Sequence, residues 1–148
     1  MILNGENVTS LLRTEETGKM ASKTSKYAAV RTKLVALQRG LAKKTDVIMD
    51  GRDIGTTVLP DAFAKIYLTA SSDARAERRY DELKEKGENC SFDAIKEDIE
   101  KRDYEDMHRA ISPLKQADDA VLVDTSDMNI EQVVAALSKI IDEKKAGR

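Results

Sequence analysis

The chain has 148 residues, of which 41% are hydrophobic and 35% charged, and its formal net charge is −2. This length suits one ordinary domain, and the charge balance provides no field that would attract nucleic acid or a membrane surface. Aromatic residues make up only 4%, the single cysteine has no disulfide partner, and no apolar run reaches transmembrane length, so we expect a cytoplasmic protein that binds neither nucleic acid nor a membrane.

The first third of the chain contains one clear helical pattern and one short apolar run. Residues 1–20 alternate between polar and apolar positions and predict small strands and turns. A helix is predicted over residues 21–41 because apolar residues recur there at helical spacing. That stripe consists of Val30, Leu34, Leu37 and Leu41. Residues 47–49 predict a buried parallel strand.

The remaining residues alternate between predicted strands and helices. The predicted strands cover residues 65–70 and 120–123, and the predicted helices cover residues 72–86, 91–111 and 130–144. Their boundaries coincide with capping and breaking residues, namely Ser72, Asp73, Gly87, Ser91 and Pro113. This alternation predicts an α/β fold with a parallel sheet.

The apolar run at residues 47–49 ends in Asp50-Gly51-Arg52-Asp53. Ligands of open α/β sheets bind beyond the carboxyl ends of such strands. Two carboxylates and a guanidinium at that edge could bind a cation, an anion and a polar base. The alternative is an ordinary tight turn, since Asp-Gly is a common turn pair. Because three ionic groups follow a buried-strand pattern, we favour a binding site.

The helix predicted from residue 91 has a stripe that changes from apolar to ionic. The stripe consists of Phe92, Ile95, Ile99, Arg102, Asp106 and Arg109. These residues fall within an arc of roughly 100°, the width of a buried stripe. Because burial of unpaired charges is costly, the ionic end should face a polar ligand or compensating charges. A solvated ladder in which Asp106 pairs with Arg102 and Arg109 is the open alternative.

Three arginines, Arg75, Arg78 and Arg79, lie within one turn of the helix predicted over residues 72–86. Guanidinium groups bind phosphate oxygens in pairs, so the cluster could form a phosphate clamp. Nearby acids could instead neutralise the arginines on a solvated face. Those acids are Asp73, Glu77 and Asp81. From the residues alone, the solvated face is favoured.

Taken together, the motifs of the chain resemble those of bacterial cytidylate (CMP) kinases. The motif that carries most of the resemblance is Asp-Gly-Arg-Asp-Ile-Gly-Thr at residues 50–56. The other matching motifs are Ala21-Ser22, Val30-Arg31, Ala70-Ser71-Ser72, Arg75-Ala76, Arg78-Arg79, Arg102-Asp103, Asp106, Arg109-Ala110 and Pro113-Leu114. Each motif alone is weak evidence, but their common order is specific.

The resemblance implies a P-loop-kinase-like parallel sheet with flanking helices that is incomplete at its amino terminus. The family's phosphate loop, of the form G-x-x-x-x-G-K-S/T, does not occur in these residues and should precede Met1. Residues 1–46 would form the nucleotide-monophosphate-binding part. Residues 47–148 would form the core, with a mobile lid at about residues 71–90.

The resemblance also implies roles for individual residues. The residues expected at the cytosine ring are Ser22, Arg31 and Asp53. Those expected at the sugar are Arg102 and Asp106, and those expected around the acceptor are Arg52 and Arg109. Lid arginines Arg75, Arg78 and Arg79 would close over the ATP phosphates. Asp50 would lie near Mg²⁺ through water, with no direct metal ligand in the chain.

The expected function is therefore that of a (d)CMP kinase, which transfers the γ-phosphate of ATP to CMP or dCMP with Mg²⁺. Full-length members of the family are expected to be monomeric. Without a phosphate loop, this chain alone is expected to have little or no activity and to self-associate through exposed strand edges. The alternative is a non-catalytic protein, either a nucleotide-binding remnant or a helical interaction module.

Overall fold

The computed structural model describes residues 1–12 and 14–147 and divides the chain into two compact units, Met1–Ile48 and Met49–Arg148. The boundary expected from the sequence lay between residues 46 and 47. Within the described ranges, no helix has the length and apolar character needed to cross a membrane.

The first unit begins with a small hairpin, as the alternating pattern predicted. Strand β1 (Ile2–Leu3) pairs antiparallel with β2 (Glu6–Asn7). The two residues between them, Asn4 and Gly5, have φ values of 51° and 88°. Positive φ at both central positions is the geometry of the tight hairpin turn that Asn-Gly favours. A 3₁₀ turn, Thr9–Leu11, follows the hairpin.

The single helix predicted over residues 21–41 is wrong, because the structure has two helices, α1 (Glu15–Thr24) and α2 (Ala28–Ala42). Helix α1 begins earlier because the Thr14 side chain accepts a hydrogen bond from the Thr17 amide. Near its end, the hydroxyl of Thr24 donates to the Met20 carbonyl at 2.9 Å and that of Ser25 to the Ser22 carbonyl at 2.8 Å. Such side-chain bonds compete with helix continuation.

The apolar stripe of α2 is not buried within its unit. Its four members expose between 39% and 57% of their surface, and no residue of α2 is buried. These residues are Val30, Leu34, Leu37 and Leu41. The periodicity therefore predicted the helix and the shared face correctly, but not the burial of that face.

The second unit contains a two-stranded parallel sheet. Strand β3 (Ile66–Thr69) pairs with β4 (Val121–Asp124) in the register Ile66↔Val121 to Thr69↔Asp124. Both strands agree with the sequence prediction. The strand predicted over residues 47–49 is absent: these residues have no regular structure, and Ile48 is 98% exposed. A parallel strand requires a neighbour to bond its backbone, and the described residues supply none here.

Three helices accompany this sheet. They are α3 (Ser72–Glu85), α4 (Phe92–His108) and α5 (Ile130–Ala146). Ser71, rather than the predicted Ser72 and Asp73, caps α3. Helix α4 starts after Ser91 as predicted but ends three residues before the predicted limit, because Arg109 is already extended. A capping box of Asn129 and Gln132 starts α5.

The apolar core of this unit is small. Helices α3 and α4 pack together, with the rings of Tyr80 and Phe92 edge to face at 6.2 Å. The buried apolar side chains among the described residues are Val58, Ala70, Ala76 and Val123. The sheet residues Leu68 and Leu122 are 53% and 54% exposed. Much of the sheet surface is therefore left in contact with solvent.

Candidate functional site

The centre of the site is a buried carboxylate held between two arginines, which we call the Asp106 cluster (Arg52, Asp106 and Arg109). Arg52 Nε donates to Asp106 Oδ2 at 2.9 Å, and Arg109 Nη1 lies 3.4 Å from Oδ1. The Asp106 side chain is only 10% exposed. The ionic end of the α4 stripe thus meets compensating charges, one of which comes from the predicted Asp50–Asp53 segment.

The buried face of α4 does not pass through Arg102 as the sequence stripe predicted. Arg102 is exposed, and its side chain makes no hydrogen bond or ion pair within the described ranges. Of the two pairs in the alternative ladder, Asp106–Arg109 forms, whereas Asp106–Arg102 does not form within the described ranges. The face runs instead through Asp103, which pairs with Arg75 at 2.6 Å. Asp103 follows Ile99 by four residues and precedes Asp106 by three. The helical spacing of the stripe is therefore also compatible with Asp103 on the buried face.

Arg109 lies immediately after α4, with φ −66° and ψ 143°. Its Nε donates to the Ser112 carbonyl at 2.7 Å, and its side chain is 14% exposed. Its Nη2 atom is buried and has no hydrogen-bond partner among residues 1–12 and 14–147. A buried unpaired donor is costly and rare, so this atom is a candidate to gain an acceptor if the side chains around Arg109 rearrange when a ligand binds.

The segment after Arg52 folds into a π-helical turn, Ile54–Val58, that the sequence did not predict. The Asp53 carbonyl accepts from the amides of Thr57 and Val58 at 2.9 and 3.2 Å. Asp53 itself is only 8% exposed, and Val58 is 2% exposed. Single π turns occur frequently at functional sites. This π turn is held by the buried side chain of Val58, whereas Asp50, which precedes the turn, is exposed.

The three arginines of α3 have three separate sets of partners. Arg75 Nε donates to the Ala70 carbonyl at 3.0 Å, in addition to its Asp103 pair. Arg78 donates to the carbonyls of Thr125 and Met128, just beyond β4. Two of the three guanidinium groups therefore bind backbone at the carboxyl ends of the two parallel strands, where ligands of α/β sheets bind.

Arg79 has the most exposed of these pairings. Its Nη1 lies 2.8 Å from Glu82 Oε2, and Lys86 lies 2.5 Å from Oε1. Hydrogen bonds from Lys86 and then Arg79 lower the pKa of Glu82 to about 2. Within the described ranges, no ion pair joins Asp73, Glu77 or Asp81 to the three arginines, and Asp73 instead binds Lys96 at 2.6 Å. A phosphate would have to displace a protein partner from each arginine.

The predicted base-contacting residues Ser22 and Arg31 belong to the first unit. Ser22 lies in α1 and Arg31 in the first turn of α2, and both are partly buried. Across the described ranges, no group of three or more His, Cys, Asp or Glu side chains is close enough to hold a metal ion.

The fold and the site together define a class: a mixed α/β protein with a small parallel sheet, flanking helices and cationic groups at the carboxyl ends of its strands. Comparison with known proteins then identifies the family. A sequence model of the cytidylate kinase family matches residues 1–143. The chain belongs to the cytidylate kinase family, which confirms the resemblance seen in its motifs.

Individual relatives give the same result. The chain is 51% identical over 143 residues to the cytidylate kinase of Lactobacillus johnsonii, 49% over 137 residues to that of Bacteroides thetaiotaomicron and 46% over 142 residues to that of Thermosipho melanesiensis. These matches cover 97%, 93% and 96% of the chain. They cover 62%, 60% and 65% of the relatives, so the chain spans less than two thirds of their length.

Proposed function

We propose that the chain provides the acceptor-binding part of a phosphotransferase that moves the γ-phosphate of ATP to CMP or dCMP. The observation that carries this proposal is the Asp106 cluster, in which the buried Nη2 of Arg109 has no hydrogen-bond partner among the described residues. Family membership supports the reaction class. We place the activity in the cytoplasm, a reducing compartment in which a free thiol such as that of Cys90 persists.

On the acceptor side, each proposed role agrees with the chemistry of the side chain. Asp53 accepts from the exocyclic amino group of cytosine. For Ser22 and Arg31, the role at the base rests on the family resemblance alone. Arg52 and Arg109 bind the acceptor phosphate, because guanidinium groups match phosphate oxygens. Arg102 and Asp106 bind the sugar. The Arg102 side chain is exposed and unpaired within the described ranges, so a ligand could bind it without breaking an ion pair.

On the donor side, we assign Arg75, Arg78, Arg79 and Asp50 to the ATP phosphates and their Mg²⁺. Phosphoryl transfer relies on positioning and charge stabilisation rather than covalent catalysis, and arginines supply both. Arg79 exchanges partners most easily, because its pair with Glu82 is exposed and such pairs contribute little stability. Asp50 is exposed and could bind hydrated Mg²⁺ through water.

The acceptor proposal is tested by titrating the chain with CMP in a calorimeter. Arg109→Gln removes the unpaired donor and should raise the Kd for CMP at least about tenfold, because a hydrogen bond to a charged group contributes about 1.5–3 kcal/mol. Lys101→Gln is the matched control, since Lys101 is an exposed cation on α4. Its Kd should equal that of the unsubstituted chain.

Two results would count against this proposal. If the unsubstituted chain gave no heat with CMP, the helical interaction module would become the better explanation. If Arg109→Gln bound CMP as tightly as Lys101→Gln, Arg109 would have no role at the acceptor.

We also propose that the isolated chain self-associates. Strand β3 pairs only with β4 among the described residues, so each strand has an unpaired edge, and such edges recruit other chains. Large apolar side chains are exposed nearby in sequence, with Ile130 at 77% and Val134 at 56%. Sedimentation should show species above the monomer mass, and thermal melting should be broad. A sharply melting monomer would contradict this expectation.

A further inference from the structure

Ser112 has a backbone conformation that its sequence neighbours disfavour. Its φ is +49°, and among the described residues the only other non-glycine residue with positive φ is Asn4, in the hairpin turn. Ser112 also precedes Pro113, whose ring favours an extended conformation at the preceding residue, and the left-handed region is itself costly for residues other than glycine. A strained residue of this kind persists only where its surroundings determine it, and such residues concentrate at functional sites.

Three contacts hold the turn at residues 109–113 in place. Arg109 Nε donates to the Ser112 carbonyl at 2.7 Å, and the Leu114 amide donates to the Asp106 carbonyl at 2.8 Å. The Thr57 hydroxyl lies 3.4 Å from that of Ser112, which links the turn to the π-helical segment. The chain after α4 thus folds back so that one carbonyl meets the Arg109 side chain.

This carbonyl determines which way the guanidinium of Arg109 points. The group is planar, so two bonded nitrogens fix the direction of the third. Nε donates to the Ser112 carbonyl and Nη1 to Asp106, and the buried Nη2 has no partner in the part of the chain that the structure describes. If Ser112 adopted an extended conformation, its carbonyl would turn away and Nε would lose its anchor.

We propose that Ser112 is a positioning residue, whose left-handed backbone orients the guanidinium of Arg109, the group that we assign to the acceptor nucleotide. The inference rests on the proposed function for the identity of the ligand. It does not rest on that function for the orientation of Arg109, which can be measured without any nucleotide.

Two substitutions distinguish the effect of the backbone conformation of Ser112 from the effect of its hydroxyl group. Ser112→Gly removes the hydroxyl but adopts positive φ readily, whereas Ser112→Thr keeps a hydroxyl but is β-branched and strained at positive φ. The first measurement is the water-exchange rate of the Arg109 Nε–H by nitrogen-15 NMR, with Arg109→Lys used to assign the signal. The second is the Kd for CMP by calorimetry.

We expect slow exchange in the unsubstituted chain and in Ser112→Gly, and about tenfold faster exchange with about tenfold weaker CMP binding in Ser112→Thr. Fast exchange in the unsubstituted chain would overturn the proposal even if Ser112→Thr failed to fold. The reverse order, with glycine impaired and threonine normal, would also overturn it, because the hydroxyl would then be the active group. Slow exchange without any CMP binding would support the role of Ser112 and contradict the proposed function.

Discussion

The 148-residue chain alone should transfer phosphate from ATP to CMP roughly a thousandfold more slowly, or worse, than its longer relatives. Its residues include no G-x-x-x-x-G-K-S/T sequence, whose backbone amides and lysine hold the phosphates in P-loop enzymes. The arginines that could compensate are already bound to protein acceptors: Arg75 to Asp103, and Arg78 to backbone carbonyls. These 148 residues therefore include no phosphate-loop amides and lysine, and Arg75, Arg78 and Arg79 each have a protein partner that a phosphate would have to displace.

A coupled assay with CMP and ATP measures this rate. The matched comparison is the same 148 residues preceded by a family segment that contains a phosphate loop, and the cytidylate kinase of Lactobacillus johnsonii is the positive control. The extended chain should recover most of the activity. Ordinary kinase rates from the 148 residues alone would contradict the prediction and would require another group to replace the loop.

The elements that could be predicted from sequence are those with strong local signals. Strands β3 and β4 and helices α3 to α5 have apolar patterns bounded by capping or breaking residues, and local physics is sufficient for these. Residues 47–49 have an equally apolar pattern but form no strand, because strand formation depends on a neighbour that a local pattern does not reveal. The break between α1 and α2 depends on hydroxyl bonds of Thr24 and Ser25 that helical periodicity ignores.

The site shows the same division between local and distant information. The Asp106–Arg109 pair is one helical turn apart and was readable from spacing. The Arg52–Asp106 bond joins residues 54 positions apart, so the sequence could place both near a site without pairing them. Helical spacing does not indicate the Arg75–Asp103 pair, because Arg102 continues the stripe from Ile99 as well as Asp103 does. The positive φ of Ser112 has no sequence signal, since serine before proline favours an extended chain.

Base selectivity should depend on Asp53 in the chain extended with a phosphate loop. Cytosine presents an amino donor where uracil presents a carbonyl acceptor, so a carboxylate attracts the first and repels the second. Asp53→Ala and Asp53→Asn should each lower kcat/KM for CMP by roughly one to two decades, since a charged hydrogen bond contributes about 1.5–3 kcal/mol. The KM for ATP should change little, because Asp53 is assigned to the base of the acceptor.

The asparagine variant makes the test specific, because Asp53 is 8% exposed and alanine would also leave a cavity. Asparagine keeps the volume and can donate to the uracil carbonyl, so the CMP-to-UMP ratio should fall further than with alanine. Asp61→Asn is the matched control, since Asp61 is an exposed acid eight residues along the chain. Equal losses for CMP and UMP in both Asp53 variants would show that Asp53 supports the fold of the loop and does not distinguish the two bases.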